Sequence, residues 1–442
     1  MRHLQPLAPL AVIATLVVTA SGAAHAVDAR ALGLGGSVIA DGEGAPGALA
    51  NPAALMAMQR RGERYHFAFG MSVETRDDAG LIDIADDEAN RTLEDDIERA
   101  VEEIDLSDVT CVPFEDSTRD SICLDGLDTL STLSARALDI LDSVDGENFS
   151  AQVDTGVGLA FTGTPYPFAL HLTARGTGRG KLTATDADRT YFEEFENVLA
   201  DGELTRGEIE DTAALSIDTE GRTVDVVRPE EVLASDLEGG TLARVTLGAS
   251  IATTLDIGGF AVDVGVTPKL SSIVAYGVNS TLADEFEEGQ SSSERLDDSE
   301  VEDSSFTFDV GGSLMLSRVP IRVAAVLRNV VPESTETREG VLFETDPQLV
   351  IGGAFERDAY TLNADLALNE ADIDSFPTQV FAFGAEHARG AFALRGGLNH
   401  DFARSEAATG LSLGLGLGPL EIGARLAGIE HAQAGLQLSL SF

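Results

Sequence analysis

Apolar and polar residues alternate along most of the chain after residue 150, which predicts β-strands with one apolar and one polar face. Tyr360–Asn369 follows this pattern, and Leu436–Phe442 interleaves leucines with glutamine and serine. The pattern predicts fourteen strands, near residues 65–73, 152–162, 168–185, 243–256, 259–278, 304–317, 320–330, 347–356, 359–369, 378–388, 391–400, 407–417, 419–427 and 433–442.

The connections between these strands alternate in length. Short turns lie at 163–167, near Gly258, at 317–319, 357–358 and 389–390, and at Gly418, and the intervening, mostly acidic connections span 74–151, 186–242, 279–303, 331–346, 370–377 and 401–406. Outer-membrane barrels alternate short periplasmic turns with longer extracellular loops. We therefore predict an all-β membrane barrel of about fourteen antiparallel strands in the bacterial outer membrane. A soluble, secreted all-β protein is the alternative.

Charged residues within the predicted strands lie mostly on the face opposite the apolar residues, and that face would line the lumen. They are Asp263, Asp309, Arg322, Arg328, Asp365, Arg395 and Arg425. Aromatic residues make up only 6% of the chain and tryptophan is missing, so the aromatic girdles at the membrane interfaces must be sparse.

Three stretches within the two longest connections have helical spacing of apolar residues: 88–104, Leu127–Val144 and Tyr191–Leu199. We expect partly helical extracellular loops. These apolar stripes would pack on one another or on the barrel mouth, and a partner-binding groove is the alternative.

The N-terminus resembles a secretory signal. Arg2 is followed by the apolar run Leu10–Ala20 and by Ala24-His25-Ala26, where small residues occupy the two positions that a signal peptidase reads. A retained anchor is the alternative. We divide the chain into a signal peptide at 1–26, an N-terminal plug segment at 27–64, and a barrel at 65–442 with loop insertions at 74–151, 186–242 and 279–303.

The chain is strongly acidic, with 75 Asp and Glu residues against 29 Lys and Arg. Such a surface repels phosphate groups, so we expect no nucleic-acid partner. A solvated surface adapted to salt explains the charge, with cation or cationic-partner binding as the alternative.

Two cysteines, Cys111 and Cys123, are the only ones in the chain, and export favours a disulfide between them. The histidines are scattered, and no Ser/His/Asp order or metal-ligand spacing stands out. We predict no enzyme activity, no catalytic or metal-binding residues and no cofactor.

The segment Ala31–Leu55 is rich in glycine and contains Gly35-Gly36 and Asn51-Pro52. No strand precedes the glycines in a βαβ setting, so a phosphate loop is not supported. Asn51 can cap a helix whose first residue is Pro52. Gly35-Gly36 followed by Asn51-Pro52-Ala53 resembles the start of FadL-like outer-membrane barrels, which implies a Gly-Gly strand, an Asn-Pro-Ala helix and an N-terminal plug in a barrel of roughly fourteen strands.

Further stretches resemble the TraF-like family of plasmid-transfer outer-membrane proteins. They are Val266–Leu270, Leu362–Asn369, Gln379–Glu386 and Arg395–Gly397. The resemblance implies a conjugal-transfer or surface-assembly role, with outer-membrane lipid and other envelope or conjugation proteins as partners. A FadL-like channel for small hydrophobic compounds is the alternative, although the acidic loops lack an apolar funnel.

Overall fold

The structure, a computed structural model, describes residues 28–77, 121–123, 127–146, 148–199, 203–205, 215–217, 224–226, 233–281, 298–316, 319–404, 409–427 and 431–441. The predicted signal peptide, the stripe at 88–104 and Cys111 lie outside these ranges. The Cys111–Cys123 disulfide therefore stays a prediction. Cys123 ends a short strand, Ser121–Cys123, that pairs with Glu203–Thr205.

Fourteen antiparallel strands form a closed barrel, which confirms the predicted fold class. The strands are β1 Tyr65–Asp77, β2 Asn148–Phe161, β3 Phe168–Thr183, β4 Asp236–Ile257, β5 Phe260–Thr281, β6 Val301–Leu316, β7 Ile321–Arg328, β8 Gln348–Arg357, β9 Tyr360–Ala367, β10 Val380–Arg389, β11 Phe392–Asp401, β12 Thr409–Leu417, β13 Leu420–Ala427 and β14 His431–Ser441.

Each strand pairs with its neighbours in the sequence, and the barrel closes where β1 meets β14, with His66 opposite Ser441. Closure matters because it leaves no sheet edge with unpaired backbone groups in the bilayer. The connections alternate in length as predicted. Tight turns such as Gly258-Gly259 lie at one end of the barrel, and the long loops lie at the other.

None of the described helices forms part of the barrel wall. They are α1 Ala29–Gly33, α2 Gly44–Ala50, α3 Ala54–Arg61, α4 Leu127–Val144 and α5 Asp186–Leu199. The apolar stripes at 127–144 and 191–199 are thus helical, and α4 and α5 pack against each other. Arg189 of α5 joins them through Asp142, at 2.8 Å, and Asp145, at 2.5 Å. No helix among the described residues combines the length and apolar character needed to span a bilayer.

The outer face of the barrel is apolar and the inner face is polar or small. Along β12, Leu411 and Leu413 are 69% and 72% exposed, whereas Ser412, between them, is buried inside. Aromatic side chains collect beside the short turns, including Tyr65, Tyr166, Phe168, Phe260, Tyr360 and Phe392. An apolar band with aromatic residues at its rim is what a bilayer requires, so the chain is an outer-membrane barrel.

Candidate functional site

The lumen is filled at its short-turn end by residues 28–61, which follow the inner wall without joining the sheet. Helix α1 lies against β12, β13 and β14, α2 lies against β1, β2 and β3, and α3 contacts β4. Leu34, Ala45 and Leu55 are completely buried between this segment and the wall. We call residues 28–61 the plug.

A belt of inward-facing glycines makes room for the plug. At Gly397 an added Cβ would lie 2.4 Å from the backbone nitrogen of Gly35, and at Gly384 it would lie 2.5 Å from the carbonyl oxygen of Leu34. Real side chains do not approach so closely, so the wall tolerates only glycine there. The belt consists of Gly158, Gly265, Gly311, Gly352, Gly384, Gly397, Gly414, Gly423 and Gly435.

Buried ion pairs fix the start of the plug to the wall. The guanidinium of Arg30 lies 2.6 Å from Asp41 of the plug and 3.1 Å from Glu386 of β10. Glu386 also pairs with Arg395, which in turn pairs with Glu421. Burial alone would raise the pKa of Asp41, but the Arg30 guanidinium outweighs it and lowers that pKa. The Arg30 guanidinium therefore favours the ionised carboxylate of Asp41.

Backbone groups of the plug bond to wall side chains as well. One carboxylate oxygen of Asp365 accepts hydrogen bonds from the Val38 and Ile39 N–H groups, at 2.6 and 2.9 Å. Arg322 donates to the Ala40 carbonyl, at 3.2 Å. Several charges that alternation placed on the lumen face therefore hold the plug.

The predicted plug-motif residues all lie in this segment. Gly35 and Gly36 have φ of 72° and 98°, in the left-handed region that favours glycine, and they form a turn rather than the strand that the resemblance implied. Asn51 is completely buried; its amide donates to the Ile39 carbonyl and accepts from the Ala53 N–H. Pro52 lies in the turn that follows.

The predicted helix start at Asn51-Pro52 is wrong by two residues, since α3 begins at Ala54. Asn51 instead ends α2, where its backbone N–H bonds to the Gly47 carbonyl. Asparagine bonds readily to backbone two residues ahead, and this local turn replaces the helix cap.

The plug's last helix is anchored on the opposite wall. Arg60 forms a two-pronged ion pair with Asp263 of β5, with one nitrogen–oxygen distance of 2.9 Å. Gln59 donates to the Thr162 carbonyl in the turn between β2 and β3, at 2.9 Å. The plug is thus held at both of its ends.

A second element covers the long-loop end of the lumen. The loops between β7 and β8 and between β9 and β10 form a four-stranded sheet. Its strands are Glu333–Glu336, Leu342–Thr345, Ala371–Ile373 and Phe376–Thr378. Val341 and Phe343 are buried against Leu242, Ile273 and Ala275 of β4 and β5. We call residues 332–347 and 368–378 the cap.

The tip of the cap carries a buried carboxylate into the lumen. Asp374 is fully buried with φ of 54°, a conformation that non-glycine residues adopt at an energetic cost. It lies 2.6 Å from Arg175 and 3.0 Å from Arg244, and it accepts from the Thr345 hydroxyl. Burial alone would raise the pKa of Asp374, but the two guanidinium groups hold it below its usual range.

The lumen between plug and cap is therefore polar and charged rather than apolar. The described residues contain no group of three His, Cys, Asp or Glu side chains placed to hold a metal. Sequence reasoning missed the glycine belt and the cap. Glycines at lumen-facing positions of neighbouring strands were a signal in the sequence that indicates the belt. Nothing in the sequence, however, pairs Asp374 with arginines about 130 to 200 positions away.

The sequence matches a known protein family. Residues 48–366, more than half of the chain, match the family described as "F plasmid transfer operon, TraF, protein". No curated protein sequence matches the chain.

Several solved structures are similar to the chain at low identity. The toluene transporter TodX of P. putida is 10% identical with a TM-score of 0.45, covering 96% of this chain and 99% of that one. The structure described as "CymD monoaromatic hydrocarbon channel" is 13% identical with a TM-score of 0.30, covering 94% of this chain and 96% of that one.

Proposed function

The chain belongs to the TraF family of the F plasmid transfer operon, and from that premise we propose that it is an outer-membrane component of a conjugal-transfer or surface-assembly apparatus. The barrel anchors the protein in the outer membrane, where lipid covers its apolar face. The long loops face outward and offer surfaces to other envelope or conjugation proteins.

The observation that carries this proposal, beside the family match, is the doubly closed lumen. The plug fills one end and the cap covers the other, and both are fixed by buried ion pairs such as Arg30–Glu386 and Arg175–Asp374. A pore for apolar molecules would need an apolar lining, because burying an apolar solute beside ionised groups strips them of their polar partners. A platform has no such requirement.

A mating assay tests the proposal. Deleting the chain from a donor that carries a conjugative plasmid and its transfer operon should lower the transfer frequency by at least about tenfold, since a missing assembly component blocks the step it serves. Deletion from the recipient should leave the frequency unchanged. Restoring the wild-type chain should restore transfer, and unchanged transfer from the deleted donor would refute the assembly role.

A gated channel for small hydrophobic compounds is the second candidate, and one observation favours it. The plug joins no strand, so it could leave the lumen without breaking the barrel's hydrogen bonds. Purified barrel in liposomes should then take up toluene faster than protein-free liposomes. We expect no such uptake, and robust uptake together with normal mating would replace the assembly proposal.

A further inference from the structure

Two arginines lie directly opposite each other on the inner wall between plug and cap. Arg175 of β3 is in register with Arg244 of β4, and both side chains are largely buried. Like charges directly opposite on neighbouring strands repel each other, and burial strengthens the repulsion. The pair needs an anion between its guanidinium groups, and Asp374 is that anion.

The carboxylates that balance these arginines come largely from the cap. Asp374 bridges both arginines, and Glu333, on the first cap strand, lies 3.5 Å from Arg244. Asp154 of β2, at 3.4 Å from Arg175, belongs to the wall. Lifting the cap would remove the carboxylates of Asp374 and Glu333 from these two buried arginines.

Further donors at this level of the lumen are already in place. Thr177 is completely buried, and its hydroxyl oxygen has no hydrogen-bond partner among the described residues. The same holds for Nε of Arg244. Arg179 lies two residues beyond Thr177, on the same face of β3. It donates to Glu238 at 2.6 Å and to the Leu342 carbonyl of the cap at 2.8 Å. The second of these bonds also depends on a closed cap.

We propose that Arg175 and Arg244 form a carboxylate-binding site in the lumen, which the cap's own Asp374 occupies in the closed state. A ligand that carries a carboxylate takes the place of Asp374 and thereby stabilises the open cap. The occupant is a planar, two-oxygen group shared between two guanidinium forks, which is the geometry that arginine recognises best. Opening follows because the ligand binds only the state that Asp374 has left.

The absence of tryptophan makes a direct test available. Phe343, on the inner side of the cap, is 1% exposed, so Phe343→Trp places a single fluorophore where opening brings water. Sodium succinate added to the purified full-length variant should shift its emission to longer wavelength in a saturable manner. Sodium chloride at equal pH and ionic strength should not. Val341→Trp is a second reporter at a position that is also 1% exposed.

Competition by Asp374 gives the decisive comparison. In the Phe343→Trp background, Asp374→Asn removes the charge of the internal occupant, so succinate should act at a concentration at least about tenfold lower. Asp372→Asn is the matched control, because Asp372 lies two residues before Asp374, on the cap strand that leads to it, and forms neither arginine contact. Arg244→Gln should abolish the succinate response.

The source of the carboxylate is decided by comparing probes. A short polyglutamate peptide that acts at lower concentration than succinate assigns the site to acidic protein segments, and the reverse order assigns it to small organic acids. The proposal is overturned if neither probe shifts the tryptophan emission more than chloride does, in the Phe343→Trp variant and in the Val341→Trp variant alike, each combined with Asp374→Asn. Heat-modifiable migration on gels shows that each variant is folded.

Discussion

Two adjacent glycines of β11, Gly396 and Gly397, face opposite sides of the barrel wall. An added Cβ at Gly397 would meet the plug backbone at 2.4 Å, whereas at Gly396 it meets nothing within 4 Å. We expect Gly397→Val to lower the free energy of unfolding by about 1–3 kcal/mol, as other overpacking substitutions do. Gly396→Val should change it by less than about 0.5 kcal/mol. Urea unfolding in detergent measures both, and equal effects would contradict the belt's role.

Asp365 of β9 tests the polar attachment of the plug. Asp365→Ala leaves the Val38 and Ile39 N–H groups without their acceptor inside the lumen, at a cost of about 1–3 kcal/mol for each buried group. Asp365→Asn keeps an acceptor oxygen and should lose less. The measurement is again urea unfolding, supplemented by proteolysis at Arg30 and Arg60. An alanine variant as stable as the asparagine variant would show that these bonds contribute nothing.

At the scale of elements, strand β12 shows how strictly the wall separates lipid from lumen. Leu413, near the middle of the strand, is 72% exposed on the outer face. Leu413→Arg should destabilise the protein in liposomes by about 2–4 kcal/mol, the range for a charge at the bilayer midplane. Leu413→Ile, the control, should cost less than about 1.5 kcal/mol. A tolerated arginine would mean that this face does not meet lipid.

The strands were predictable because their two-residue period records directly which side chains meet lipid. The misses have local causes. Strands β4 and β5 extend to Asp236 and Thr281, beyond the predicted 243–256 and 259–278. The added length of β4 carries Gly240, which receives Phe343 and Val341 of the cap. Once a strand leaves the bilayer, its outer face need not be apolar, and the alternation fades.

The candidate site was less predictable than the wall. The alternation of apolar and polar residues placed Asp365 and Arg395 on the lumen face, where the structure also has them. It could not identify the residues that they contact. The contact between Arg175 and Asp374 spans 199 positions, and one partner sits on a loop tip without periodic pattern. Contacts between the barrel wall and an inserted segment form only once the barrel is closed. Local sequence patterns therefore do not predict them.

At the scale of the whole molecule, the charges are sorted by environment. Several of the few basic residues lie inside the lumen. They include Arg30, Arg175, Arg244 and Arg395, whose side chains are at most 11% exposed. The formal net charge is −46, so the outer loops carry a large excess of carboxylates. The inner pairs are shielded from solvent ions, and the outer carboxylates repel one another through water.

This sorting predicts that salt stabilises the protein. Repulsion among exposed carboxylates is screened within about 10 Å at 0.1 M salt and about 3 Å at 1 M, while buried pairs are screened much less. The free energy of unfolding by urea in neutral detergent should therefore rise from 10 mM to 1 M sodium chloride. Urea is used because it adds no ions, and sucrose at matched osmolality separates screening from the exclusion of solutes. A fall in stability with salt would mean that the lumen ion pairs outweigh the surface repulsion.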